Sequence, residues 1–391
     1  MVRPDSSNYR IFVLGAGFSC AAGLPVAHDL WREVLRRAEK LSGRAGKFLD
    51  DLQMYIEFRK DCDGLSLTPD EVDFENFLAF LDIEHHLGLR GSDTWSADGN
   101  EAQVVVKMLI AQILTERMPP KERIPNLYLR FAEALRPGDY VLTFNYDVVL
   151  ERALEVVGKP FRLFPQRFKK VHSGYAEGDT AMEEVVVLKL HGSIDWFDRK
   201  AYRELEEAYL HEGVSSRPEH PVFTNVNELT VVPLLEGPRF PNDPLREMHR
   251  VHNVERLYRK PILFHATPWL LNPSSAKILY SGKLKDFWWG LGDMGCVNFG
   301  LSIIGFSMPP QDDYARQVLY RLVKNYQSEH WDKEVFGRKK TPLVFVDLRH
   351  SAKDKEEFRS RYAFVDWSRA ETCFDGFDDG ALGLLFRKIG S

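Results

Sequence analysis

Five segments of this sequence end in residues suited to contact a ligand. Gly15-Ala16-Gly17-Phe18-Ser19 follows the apolar run from Arg10 to Leu14, and Asn145-Tyr146-Asp147 follows Tyr140 to Phe144. His191-Gly192-Ser193 follows Val185 to Leu190, Gly305-Phe306-Ser307 follows Leu301 to Ile304, and Asp347 follows Leu343 to Val346. Glycines at 15 and 17 allow a tight turn and close approach to a pyrophosphate, whose charge is favoured by N–H groups opening the next helix. They equally suit a purely structural strand-to-helix turn. Asn145 brings a donor and an acceptor and Asp147 an acceptor, and alternation places both on one side of the strand mouth with Tyr146 on the other. Asp147 is also well placed to cap a following helix, which does not exclude a ligand role; Asn145 is too early to cap and is the better catalytic candidate. His191 supplies an imidazole, a group whose unperturbed pKa of ~6.5 suits a base or a hydroxyl partner. Most of the twelve histidines must be structural or on the surface, His85 and His86 among them. Asp347 either accepts from a ligand hydroxyl or merely ends its strand.

The elements that must hold these residues follow from periodicity. The runs at 10–14, 140–144, 185–190, 301–304 and 343–346 are continuous and apolar, the pattern of strands buried on both faces of a parallel sheet. Leu30, Trp31, Val34, Leu35, Ala38 and Leu41 form one helical stripe, and Thr68-Pro69-Asp70-Glu71 is a capping box ahead of a second stripe, Phe74, Phe77, Leu78 and Leu81. Further helices are expected at 102–117, 125–135, 148–157 (ended by Gly158) and 313–326. The fold class expected is α/β: a Rossmann-like doubly wound parallel sheet, residues 1–34 and 136–391, interrupted by an all-helical insertion, residues 35–135. Asp195 and Trp196 are expected to fix the loop after His191. The Pro- and aromatic-rich stretch 198–300 has no clear periodicity, and the chain has no internal repeat.

Composition narrows the function. At 391 residues the chain has a prior of two or three domains at ~150 residues each. Lys+Arg 52 against Asp+Glu 57 gives a net charge of −5, with no electrostatic footprint for nucleic acid or an anionic membrane. No apolar run approaches the ~18 residues of a membrane span, and the N-terminus lacks a secretory apolar region, so a cytoplasmic protein is expected. Cys20, Cys62, Cys296 and Cys373 contain no C-x-x-C pair, which argues against a zinc ribbon and for free thiols in a reducing compartment. The dehydrogenase fingerprint fails because Cys20 replaces its third glycine and no acidic residue ends a second strand about 20 positions on. The P-loop pattern fails because no Gly-Lys-Ser/Thr follows. Nuclease activity lacks a paired-carboxylate metal motif.

Residues 15–19 (GAGFS), 23–25 (GLP), 143–147 (TFNYD), 190–196 (LHGSIDW) and 305–312 (GFSMPPQD) stand in an order and spacing that resembles the sirtuin-like NAD-consuming domains, most closely those of bacterial antiphage defence proteins. The resemblance covers residues 10–30 and about 137–350. It implies a Rossmann-like NAD site with Gly15, Ala16, Gly17 and Ser19 at the phosphates, Asn145 and Asp147 at the nicotinamide-ribose end, His191 at the ribose hydroxyls, Ser307 and Asp347 toward the adenosine side, and Gly305 also among the cofactor-binding residues. Protein-deacylating sirtuins carry a zinc-binding cysteine quartet that is missing here, and their Pro-x-Phe-Arg reads Pro25-Val26-Ala27-His28. Both departures weaken deacylation and leave NAD cleavage intact, so no metal is expected and NAD is the substrate. The implied reaction is hydrolysis to nicotinamide and ADP-ribose, with a non-cleaving NAD or ADP-ribose sensor as the alternative. Related defence systems often pair a sirtuin-like subunit with a HerA-type hexameric ATPase. An insertion of about 100 residues leaves little room for a sensor. A homo-oligomer controlled by such an ATPase is therefore expected, with the aromatic residues Phe74, Phe77, Phe80 and Trp95 serving internal packing or subunit contacts.

Overall fold

The structure, a computed structural model, describes residues 9–91, 99–216, 219–261, 266–309, 312–334 and 338–387. Trp95 and two residues of the 305–312 motif, Pro310 and Gln311, lie outside them. The described chain divides into two compact units, one of Met1–Val26, Met118–His191 and Leu284–Ser391, the other of Ala27–Arg117 and Gly192–Lys283.

The first unit is built on a seven-stranded sheet: β1 (Arg10–Leu14), β2 (Tyr140–Thr143), β3 (Phe161–Arg162), β4 (Val185–Lys189), β5 (Gly300–Ile304), β6 (Leu343–Val346) and β7 (Ala370–Cys373). The order across it is β7-β6-β5-β1-β2-β4-β3, and every pairing is parallel. This is a Rossmann-like α/β sheet. Ile11, Val13, Val141, Val187, Ile303 and Phe345 are fully or almost fully buried, the two-sided burial that continuous apolar runs require. From β1 the chain moves to β2 on one side and later returns to β5 on the other. The topological switch point therefore lies between β1 and β5, where ligands of such sheets bind outside the strand C-termini. Helices Val149–Val156 and Asp313–Ser328 lie where periodicity places them, the second two residues longer.

The second unit holds helices Ala27–Ala38, Lys47–Asp63, Phe74–Leu87 and Glu101–Arg117, together with a three-stranded antiparallel sheet of Trp196–Asp198, Met248–Val251 and Val231–Pro233. Trp31 stacks on Phe74 with centroids 4.3 Å apart and meets Phe48 and Phe77, so the aromatic stripe is core. Buried Asp82 joins the two stretches of sequence, accepting from Gln103 Nε2 at 2.5 Å, Asn272 Nδ2 at 3.0 Å and the Ser274 hydroxyl.

Two expectations change, and two strands are added. The division of the chain differs from a helical insertion over 35–135: helix Asn126–Ala134 belongs to the sheet unit, and Gly192–Lys283 groups with the helices. The capping box closes only the single turn Pro69–Glu71, because Val72 leaves it extended; Asp73 caps the helix proper, accepting from Asn76 N at 2.8 Å. β3 and β7 had no sequence signal, one being two residues long and the other a half-buried edge without an apolar run.

Candidate functional site

At the switch point the loops after β1 and β5 touch backbone to backbone. Gly15 N donates to Ile304 O and Gly17 N to Gly305 O, each at 2.9 Å. A Cβ on Gly15 would stand 2.5 Å from Gly305 O, one on Gly17 2.7 Å from Gly305 Cα, and one on Gly305 2.2 Å from Phe18 N. Gly305 also has φ +62°, a left-handed conformation that favours glycine. These three glycines are thus explained by loop packing, and the N–H groups of Gly15 and Gly17 are engaged within the protein. Ala16–Ser19 is a single helical turn, continued by Cys20–Ala22 and stopped at Gly23. No continuous helix begins at the glycines: the turn stops at Gly23-Leu24-Pro25, where a dinucleotide-binding helix would be under way.

On the other side of β1 the site is made of side chains. Ser19 Oγ donates to Asp147 Oδ2 at 2.8 Å, and Asn145 Nδ2 donates to Gly15 O at 2.9 Å and to Ser19 Oγ at 3.2 Å. With its amide nitrogen so engaged, Asn145 is held with Oδ1 as its remaining polar atom. From the position before the N-cap Val148, Asp147 Oδ1 accepts from Val149 N at 3.0 Å, so it braces the first turn of the helix alongside its bond to Ser19 without being the cap itself. Lys189, 1% exposed at the end of β4, donates to the Asp147 carbonyl and pairs with Glu151 at 2.8 Å. That buried cation fixes the loop carrying Asn145. Sequence reasoning passed over it, although a lone lysine in the run Val185–Leu190 was its visible sign.

His191 is 5% exposed, with Nε2 2.5 Å from the Tyr314 hydroxyl. Its ring meets Phe144 edge-on at 5.0 Å and Tyr146 at 6.2 Å. Phe144 in turn stacks on Phe306 at 4.4 Å. Trp288 packs edge-on against Tyr314 at 5.0 Å, and its buried Nε1 has no hydrogen-bond partner among the described residues. Neither Trp288 nor Tyr314 stands in a recognisable motif. Asp195 is drawn into the second unit, where it accepts from Ser193 Oγ and Arg250 Nε, the loop-fixing role expected of it.

Two further candidates sit at strand ends on the β5–β6 side. Ser307 offers its carbonyl to Arg361 at 3.5 Å. Asp347 accepts from Leu348 N at 2.8 Å and pairs with Arg349 at 3.2 Å; burial raises its carboxyl above the ordinary range while Arg349 pulls it back. Among the described residues no group of three or more His, Cys, Asp or Glu is arranged to hold a metal, and no helix is long and apolar enough to cross a membrane.

A family model described as SIR2-like domain matches residues 139–217, a span that contains Asn145, Asp147, Lys189 and His191. No curated protein matches the chain.

Proposed function

From a SIR2-like domain, a type that uses NAD, we propose that this chain cleaves NAD at the nicotinamide-ribose bond and transfers the ribosyl group to water. The observation carrying this reading is the Asn145–Ser19–Asp147 network beside β1, with His191 at the end of β4, the strand on the far side of β2. In the reaction the C1′–N bond breaks with its electron pair going to the pyridine nitrogen. Nicotinamide leaves neutral and needs no strong acid. Water oxygen bonds to C1′ and its proton passes to a base or to solvent. Asn145 Oδ1 orients the water or a ribose hydroxyl, and His191 binds the ribose hydroxyls or takes the proton. Asp147 acts chiefly through Ser19 and Asn145, and its grip on the carboxamide is secondary. The glycine loops with Ala16, Ser307 and Asp347 line the path of the rest of the dinucleotide.

Incubating the full chain with NAD and measuring free nicotinamide tests this directly. Asn145→Ala and His191→Ala are each expected to lower release by about 10²–10⁴-fold in a folded protein. Wild-type turnover in either variant refutes the assignment. A second reading, a sensor that holds NAD or ADP-ribose uncleaved, draws on the burial of His191 and its bond to Tyr314; NAD binding without nicotinamide release would select it. The resemblance to antiphage proteins extends the proposal to cytoplasmic NAD depletion in defence, by a homo-oligomer joined to a HerA-type ATPase. A monomer by light scattering whose NAD cleavage ignores such a partner would defeat that extension.

A further inference from the structure

His191 is enclosed in the chain as it stands. It is 5% exposed, Phe144 and Tyr146 flank its ring, and Nε2 is bonded to Tyr314 at 2.5 Å. A ligand hydroxyl that is to bond Nε2 must displace the tyrosine. Tyr314 is the second residue of helix Asp313–Ser328, in the terminal turn that frays most readily. The segment leading to it contains buried Met308 at φ +51°, a left-handed conformation uncommon outside glycine and a local reserve of strain. Trp288, packed on Tyr314, has a buried indole N–H with no hydrogen-bond partner among the described residues, and a buried donor left so costs free energy. Among the described residues, the wall over His191 thus leaves one of its own polar atoms unsatisfied.

We propose that Tyr314 is a gate residue whose hydroxyl occupies His191 Nε2 in the ligand-free chain and is exchanged for a ribose hydroxyl when a nucleotide binds. The inference rests on the NAD-cleaving reading for the ligand's identity and on the geometry for the gate. Removing the hydroxyl removes the competitor while keeping the ring. Calorimetry of NAD binding to the full chain should show Tyr314→Phe binding about fivefold tighter than wild type, the net worth of one ordinary hydrogen bond. A ligand-free readout is site-resolved acylation by diethylpyrocarbonate: His191 should react faster in Tyr314→Ala than in wild type, and NAD should protect it. Unchanged or weaker binding by Tyr314→Phe overturns the proposal, as does a His191 no more reactive in Tyr314→Ala. If wild type binds NAD and releases no nicotinamide while Tyr314→Phe binds more tightly, hydrolysis falls and the gate stands. If nicotinamide is released and Tyr314→Phe binds no better, the gate falls and hydrolysis stands.

Discussion

The two sides of the switch point are built from opposite materials. Between β1 and β5 the chain uses bare backbone: Gly15, Gly17 and Gly305 pack so closely that no side chain fits. Between β1 and β4 it uses polar side chains, Ser19, Asn145 and Asp147, braced from below by the buried pair Lys189–Glu151. The first side can shape a crevice but has little chemistry to offer, since the Gly15 and Gly17 N–H groups are bonded to neighbouring carbonyls. The second can orient water or a hydroxyl. A glycine-rich loop after a first strand is thus no measure of where the reactive groups lie.

The largest effect expected from breaking either side is at Lys189. Lys189→Met leaves the Glu151 carboxylate and the Asp147 carbonyl without their cation in a dry interior, and should cost about 3–5 kcal/mol by urea unfolding. The double variant with Glu151→Leu should recover most of it, because both charges are then gone. No recovery would mean that the pair's place is set by shape alone. Next comes Gly305→Ala on the backbone side. A left-handed alanine costs ~1–2 kcal/mol and its clash with Phe18 N adds ~1–3, whereas Gly23→Ala, at φ +88° in open space, should lose only the ~1–2 of its backbone conformation. Equal losses at the two positions would deny that the loops depend on contact.

What was legible in the sequence divides along the same line. β1 and β6 were readable residue for residue because two-sided burial leaves a continuous apolar run. That Asn145, His191 and Asp347 stand just past strand ends was readable because the apolar runs stop immediately before them. The reason for Gly15 and Gly17 was not, since the partner that excludes a Cβ is Gly305, far along the chain. Tyr314 was hidden likewise: it meets His191 across 123 positions, and nothing local in either segment announces the pairing. Within 198–300 helix Lys200–His211 gave no signal because only its Tyr202 is buried, and strands Val231–Pro233 and Met248–Val251 gave none because they are three and four residues long. The grouping of Gly192–Lys283 with Ala27–Arg117 makes the second unit larger than the insertion of about 100 residues expected, so the argument that the chain lacks room for its own sensor weakens.

Ser19 joins the two materials, standing on the glycine loop and bonding both polar partners. Ser19→Ala removes the donor to Asp147 and one of the two acceptors that fix the Asn145 amide. A loss of about 1–2 kcal/mol in stability and about tenfold in nicotinamide release is expected. Unchanged release with reduced stability would confine Ser19 to the fold and detach Asn145 from it.

The smallest effect is expected at Asp347, on the margin of the backbone side, and its sign follows from linkage. Burial raises this carboxyl, so between the ordinary carboxylate pKa and the raised folded value the native state holds more protons than the unfolded chain. The group's contribution is therefore most favourable below the ordinary value and is lost as pH rises through the folded one. Asp347→Asn cannot ionise and escapes that loss. Its urea midpoint should gain on wild type as pH rises from about 4.5 to 7, with only modest forfeiture at the partly exposed Arg349. The opposite trend would show that the pairing with Arg349 outweighs burial. Leu348 N and Arg349 already occupy part of the carboxylate, so NAD binding by this variant should weaken by about threefold or less. A greater loss would move Asp347 from strand end to ligand contact, and the backbone side of the switch point would then hold a reactive-site residue of its own.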